Sequence, residues 1–151
     1  MKPINEMKLS FISKSANEGF ARTAVAAFIL QLDPTIGEMS DIKTAVSEAV
    51  TNAVVHAYRD TIGTVYIEAQ IYEGGKIIIK VKDKGCGIEN IEKAMEPLFT
   101  TAENEERAGL GFAVMQSFME KVSVSSKQGR GTTVTMQKHI IPRVKLNEKQ
   151  R

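Results

Sequence analysis

The stretch SDIKTAVSEAVTNAVVHAY, residues 40–58, decides the fold. Ile42, Val46, Ala49, Val50, Ala53 and Ala57 recur at helical spacing, so the stretch predicts a long helix with one apolar stripe and Ser40 as its N-cap. Glu48, Asn52 and His56 follow one another at intervals of four, which sets the three side chains in a single slanting row on another side. Thr44, Ser47 and Thr51 widen that polar side, so the row alone fits a solvated helix edge as well as a site. The apolar stripe needs a second layer to cover it, and the rest of the chain supplies one.

Upstream, Met7–Ser13 alternates Leu9 and Phe11 with polar neighbours and predicts a first strand. Asn17–Gln31 predicts a helix, with Phe20, Ala24, Phe28 and Leu32 at helical spacing, stopped by Leu32-Asp33-Pro34. In that helix Arg22 is a lone charge among Phe20, Ala21, Ala24 and Val25, the setting of an interface anchor or of an ordinary rim residue. Downstream, Thr64–Tyr72 and Lys76–Lys82 are rich in Val and Ile and flank Gly74-Gly75, a hairpin pattern. Asp83–Gly87 turns the chain, and Ile88–Ala108 has no strong periodicity. Leu110–Met119 predicts a helix, and Val122–Ser126 with Thr132–Lys138 a second hairpin. Helices early and antiparallel strands late give an α/β chain of the α+β two-layer kind, with a mixed, mostly antiparallel sheet and helices on one face. The other face is left to solvent or to a partner.

A chain of 151 residues, 42% hydrophobic and 25% charged, suits one soluble domain, expected over residues 1–141. The tail, 142–151, holds four basic residues and one acid and is expected to be disordered. Its net +3 within a total of +2 leaves the body at −1, without the basic stripe of a nucleic-acid-binding surface. The longest apolar run, Ala24–Leu30, is too short to span a bilayer, and no signal peptide opens the chain. Cys86 is the only cysteine, so no internal disulfide forms and a cytoplasmic setting is expected.

Three glycine segments accompany the polar row. Asp83-Lys84-Gly85-Cys86-Gly87 follows an apolar strand; a carboxylate there can accept from an exocyclic amine such as that of adenine, and glycines let backbone approach a flat ring. By itself the segment is more simply a glycine turn. Gly109-Leu110-Gly111 opens a helix, where free N–H groups and the helix dipole favour phosphate. It is neither a dinucleotide fingerprint nor a P-loop. Gly129-Arg130-Gly131-Thr132-Thr133 leads into the last strand and needs no functional account.

In this order the four segments resemble the N box and glycine boxes of the GHKL ATPase and kinase superfamily, which includes gyrase and the histidine kinases. The resemblance covers nearly the whole chain and implies a Bergerat-type fold, with ATP between helices and a mobile lid. It implies that Asn52 coordinates Mg²⁺ through its side-chain oxygen, that Asp83 holds the adenine amine, and that Gly85 and Gly87 border the ring. Gly109 and Gly111 would cradle phosphates, Thr133 would help to close the adenine pocket, and His56, Thr100, Thr101 and Leu110 would add nucleotide contacts.

The chain has no room for a transducer domain and no helical pair bearing a phosphoacceptor histidine: His56 lies in the N-box helix and His139 at the end of the last strand. It is most similar to the small serine-kinase branch, the sporulation anti-sigma-F group of anti-sigma factors. Val46–Ala53, Pro97-Leu98-Phe99-Thr100-Thr101 and Glu106–Phe112 carry that likeness. Ala102 and Ala108 depart from it, standing where relatives often have lysine and serine. The branch implies a homodimer that holds a sigma factor, with Arg22 on that surface. It also implies transfer of phosphate from ATP to a serine of an anti-anti-sigma protein, with no direct contact to nucleic acid or membrane. Glu48, one turn before Asn52, is then the candidate base, and Arg107 a candidate γ-phosphate ligand. The alternative is a nucleotide-gated sigma-binding module with little catalysis.

Overall fold

In the computed structural model, which describes residues 1–95 and 111–141, five strands form one sheet in the order β1-β2-β3-β5-β4. They are β1 (Asn5–Ile12), β2 (Thr64–Ile71), β3 (Lys76–Asp83), β4 (Lys121–Lys127) and β5 (Gly131–His139). All four pairings are antiparallel, so the sheet is antiparallel throughout and not mixed as expected. The turn between β2 and β3 uses Gly74 and Gly75 at φ 89° and 86°, a region that glycine enters without a Cβ penalty. Register then carries one apolar set across the sheet: Ile67 lies opposite Val81 and Val81 opposite Val134, while Ala69 lies opposite Ile79 and Ile79 opposite Met136. A slip of one residue would turn that whole set to solvent.

The helices are α1 (Ala16–Ile29), α2 (Ile36–Thr51), a short α3 (Ile91–Ala94) and α4 (Phe112–Phe118). Val25 and Ile29 of α1 and Ile42, Val46 and Val50 of α2 are fully buried and share one core with the inner side of the sheet. Each such side chain stabilises the fold by roughly 1.5–3 kcal/mol. The opposite side of the sheet is open and carries Lys8, Tyr66, Glu68, Lys80, Lys82 and Thr133 around a hollow of about 510 Å³.

The long helix differs from expectation at both ends. Its N-cap is Thr35, not Ser40. The Thr35 hydroxyl accepts the Glu38 N–H at 2.9 Å, and the Glu38 carboxylate accepts the Thr35 N–H at 2.8 Å. This capping box satisfies two of the orphan donors at the helix start and leaves Ser40 inside the helix. At the other end, regular α geometry stops at Thr51, and Asn52–Ala57 forms a wider turn in which the Tyr58 N–H bonds the Ala53 carbonyl at 3.3 Å. Such widened turns occur frequently at functional sites. The expectations for Thr100, Thr101, Arg107, Gly109, Leu110 and the basic tail lie outside the described residues.

Candidate functional site

The wide turn faces the ends of β3 and β5 across a cavity of about 330 Å³, whose walls include Asn52, His56, Asp83, Gly87, Phe112 and Thr132. Asp83 is the last residue of β3, and strand alternation turns it toward the helices. Its Oδ1 accepts the N–H groups of Gly85 at 3.0 Å and Thr132 at 3.2 Å. Oδ2 accepts no bond among the described residues, so one lobe of a buried carboxylate is available to a donor in the cavity. Burial pushes the Asp83 pKa up, and the two backbone N–H groups only partly oppose it.

Asn52 is 8% exposed, and among the described residues neither its Oδ1 nor its Nδ2 has a hydrogen-bond partner. A buried amide left unpaired costs about 1–3 kcal/mol, so this residue is poised for a partner that the described residues do not supply. Its oxygen is a hard donor suited to Mg²⁺. Among the described residues no cluster of three or more His, Cys, Asp or Glu is disposed to hold a metal. One amide oxygen therefore fits an ion that draws its other ligands from phosphate and water.

The turn after β3 is fastened from several sides. The Cys86 N–H bonds the Ala57 carbonyl at 3.0 Å, and the Cys86 carbonyl accepts the Gly129 N–H at 2.6 Å. The buried Tyr58 hydroxyl accepts the Lys84 N–H at 2.6 Å and donates to the Thr64 carbonyl at 2.8 Å. Gly87 lines the cavity at φ 76°, where a Cβ would also overlap the Lys127 carbonyl.

Two site residues expected from the sequence fall elsewhere. Gly85 does not line the cavity. It packs on the Ala57 carbonyl, which a Cβ would overlap, and borders an adjoining hollow with Tyr58 and Lys84. Thr133 lies opposite Lys82 on the open side of the sheet, because β5 alternates and Asp83 pairs with Thr132. Thr132 takes the inner place: buried, bonded to Asp83 through its N–H, and 2.8 Å from the Ser126 hydroxyl through its own. Ser126 in turn accepts the Ile88 N–H at 2.8 Å, which ties the cavity's edge strand to the segment after Gly87. Tyr58, Thr132 and Ser126 are the residues that sequence reasoning missed; a buried phenol and two strand hydroxyls leave no local pattern, except that Thr132 follows a glycine turn.

Glu48 lies beside the cavity, one helical turn before Asn52, with its carboxylate against Gly111 at the start of α4. Gly111 has φ 65°, and a Cβ there would overlap the carboxylate. Burial first, and the charge of Glu18 second, raise the Glu48 pKa. Glu18 pairs with Arg22 at 3.2 Å, and Arg22 also donates to Ser47 at 3.3 Å. Arg22 thus joins α1 to α2 next to Glu48 while 42% of its side chain stays exposed.

Residues 13–138 match the model of the histidine kinase-like ATPase domain, and the chain belongs to that family of nucleotide-binding domains, in the GHKL class. It closely resembles proteins named anti-sigma F factor: it is 61% identical to one from Thermoanaerobacter sp. (strain X514), covering 93% of this chain and 97% of that one. With one from Clostridium kluyveri the identity is 54%, over 89% and 94% of the two chains. In fold the chain is similar to the RsbU and RsbW domains of a Mycobacterium tuberculosis protein, with a TM-score of 0.67 at 18% identity over 91% of this chain and 32% of that one. It is similar also to the catalytic domain of histidine kinase ThkA, with a TM-score of 0.55 at 17% identity over 90% and 97%. No helix among the described residues is long and apolar enough to cross a membrane.

Proposed function

We propose that this chain is a cytoplasmic anti-sigma factor of the sporulation sigma-F type that uses ATP to phosphorylate a serine of its anti-anti-sigma partner. The observation that carries this reading is a buried Asn52, without a partner among the described residues, with Glu48 one turn before it, a carboxylate of raised pKa. The names of the similar proteins support the anti-sigma part. Asn52 and Asp83 would hold the nucleotide at its two ends, Asp83 through the oxygen left unbonded and Asn52 through a magnesium ion. A bound Mg²⁺ would neutralise charge on the phosphates, which is most of what phosphoryl transfer asks of a protein. Glu48 would orient the serine hydroxyl and accept its proton as the new O–P bond forms, a task for which a pKa nearer neutrality is an advantage.

Arg107 would hold the γ-phosphate, Gly109 and Gly111 would cradle phosphates, and Thr100, Thr101 and Leu110 would add nucleotide contacts. Arg22, with 42% of its side chain exposed, would anchor the sigma-facing surface of a homodimer. The working unit is one domain over residues 1–141 with a basic tail. Glu48 is what favours a kinase over a nucleotide-gated binding module, since a module needs Asn52 but no base.

Incubation of the chain with labelled ATP, Mg²⁺ and the candidate anti-anti-sigma protein is the test. Label on a serine of the partner is the expected result, and nucleotide binding without transfer would leave the gated module instead. Glu48→Gln is expected to retain ATP binding and to slow transfer by about 10²–10⁴-fold. Transfer by that variant at the wild-type rate would remove Glu48 from the role of base.

A further inference from the structure

We propose that Cys86 is a thiol-modification site through which a low-molecular-weight disulfide closes the cavity to its ligand. This rests on the reading of the cavity as a nucleotide site and adds a means of regulating it. Cys86 is exposed, so a reagent can reach it. Its Sγ lies 3.4 Å from the His56 carbonyl oxygen and 3.5 Å from that of Gly87, and both of those residues line the cavity that Cys86 itself lines. The backbone on both sides of the thiol is pinned: the Cys86 N–H to Ala57, and the Cys86 carbonyl to Gly129 in the β4–β5 turn. Backbone movement that carried the side chain off the wall would have to break these bonds. The same cavity holds the Asn52 amide, buried and without a partner among the described residues, an independent sign that a ligand belongs there.

The step is thiol–disulfide exchange. The Cys86 thiolate attacks one sulfur of the disulfide, the new S–S bond forms as the old one breaks, and the departing thiolate carries off the electron pair. The proton of Cys86 goes to solvent, and a dithiol reverses the reaction. A peptide-sized group attached at Sγ competes for a space of about 330 Å³ that a nucleotide would occupy.

The experiment uses the full chain and 5,5′-dithiobis(2-nitrobenzoate), whose released thiolate is read by absorbance. At about 100 times its Kd, ATP with Mg²⁺ leaves roughly 1% of the chain nucleotide-free, so exchange at Cys86 is expected to slow by about 100-fold. The modified chain is expected to bind a fluorescent ATP analogue at least about tenfold more weakly, a change of about 1.4 kcal/mol, with recovery in dithiothreitol. Cys86→Ser should give the same affinity whether or not it has met the reagent.

Untreated chain that takes up no nucleotide would overturn the reading of the cavity. Chain that takes up nucleotide, yet whose thiol reacts equally fast with and without it, would overturn this proposal alone. So would modified chain that binds the analogue as tightly as before.

Discussion

The two sides of strands β3 and β5 present opposite chemistry from the same run of residues. Toward the helices, Val81, Asp83, Thr132 and Val134 join Asn52 around a cavity in which a carboxylate and an amide are buried. Away from them, Lys80, Lys82 and Thr133 join Lys8, Tyr66 and Lys84 around a hollow that is larger, at about 510 Å³ against about 330 Å³. Size does not choose between them. None of the residues around the larger hollow carries a buried polar atom left without a partner among the described residues, and Lys84 is already engaged with the Tyr66 ring at 5.2 Å. The inner cavity holds a polar group that no described residue satisfies. Ligand sites are better recognised by such unmet chemistry than by volume.

The strongest way to break this contrast is to remove the unmet group. Asn52→Ala is expected to weaken Mg²⁺-dependent ATP binding by about 100-fold, read by calorimetry. The unliganded variant should unfold at the wild-type denaturant midpoint or above it, because the buried amide costs about 1–3 kcal/mol while it is unpaired. A marked loss of stability would mean that the amide has a protein partner after all. The contrast is sharpened by changing adjacent threonines in parallel. Thr132→Val removes the hydroxyl that meets Ser126 and should cost about 1 kcal/mol in urea unfolding, whereas Thr133→Val should stay within about 0.5 kcal/mol.

The smallest effect is in the pH dependence of stability. Burial and Glu18 raise the Glu48 pKa in the folded chain, so between its ordinary value of 4.5 and the raised one the folded state binds more protons than the unfolded state. Stability contributed there is present below 4.5 and is lost as pH rises through the folded pKa. Glu48→Gln has no proton to lose. Its melting temperature should exceed that of the wild type above the window and lose that advantage below it.

Much of this site is legible in residue spacing. The row of Glu48, Asn52 and His56 is visible because a helix repeats about every four residues, and Asp83 because it ends an apolar strand before two glycines. Ile42, Val46, Ala49, Val50 and Ala53 are buried as their stripe predicts, while Ala57, its last member, is only half-buried at the end of the wide turn. What escaped depends on contacts between distant parts of the chain. The place of Gly85 is set by the Ala57 carbonyl, which the wide turn presents, and neither proline nor glycine within Asn52–Ala57 announces that turn. Thr132 and Thr133 are the same residue type, and only the pairing of β5 with Asp83 decides which of them faces inward. Ser40 is a sound capping residue by type, but Thr35 and Glu38 cap each other and begin the helix earlier.

That pair of threonines also gives the most direct test of where the ligand sits. In a chain carrying ¹³C-labelled threonine methyl groups, addition of ATP with Mg²⁺ should move the Thr132 methyl resonance and leave that of Thr133 in place. A shift of Thr133 with Thr132 unmoved would put the ligand on the lysine-lined face and contradict the account.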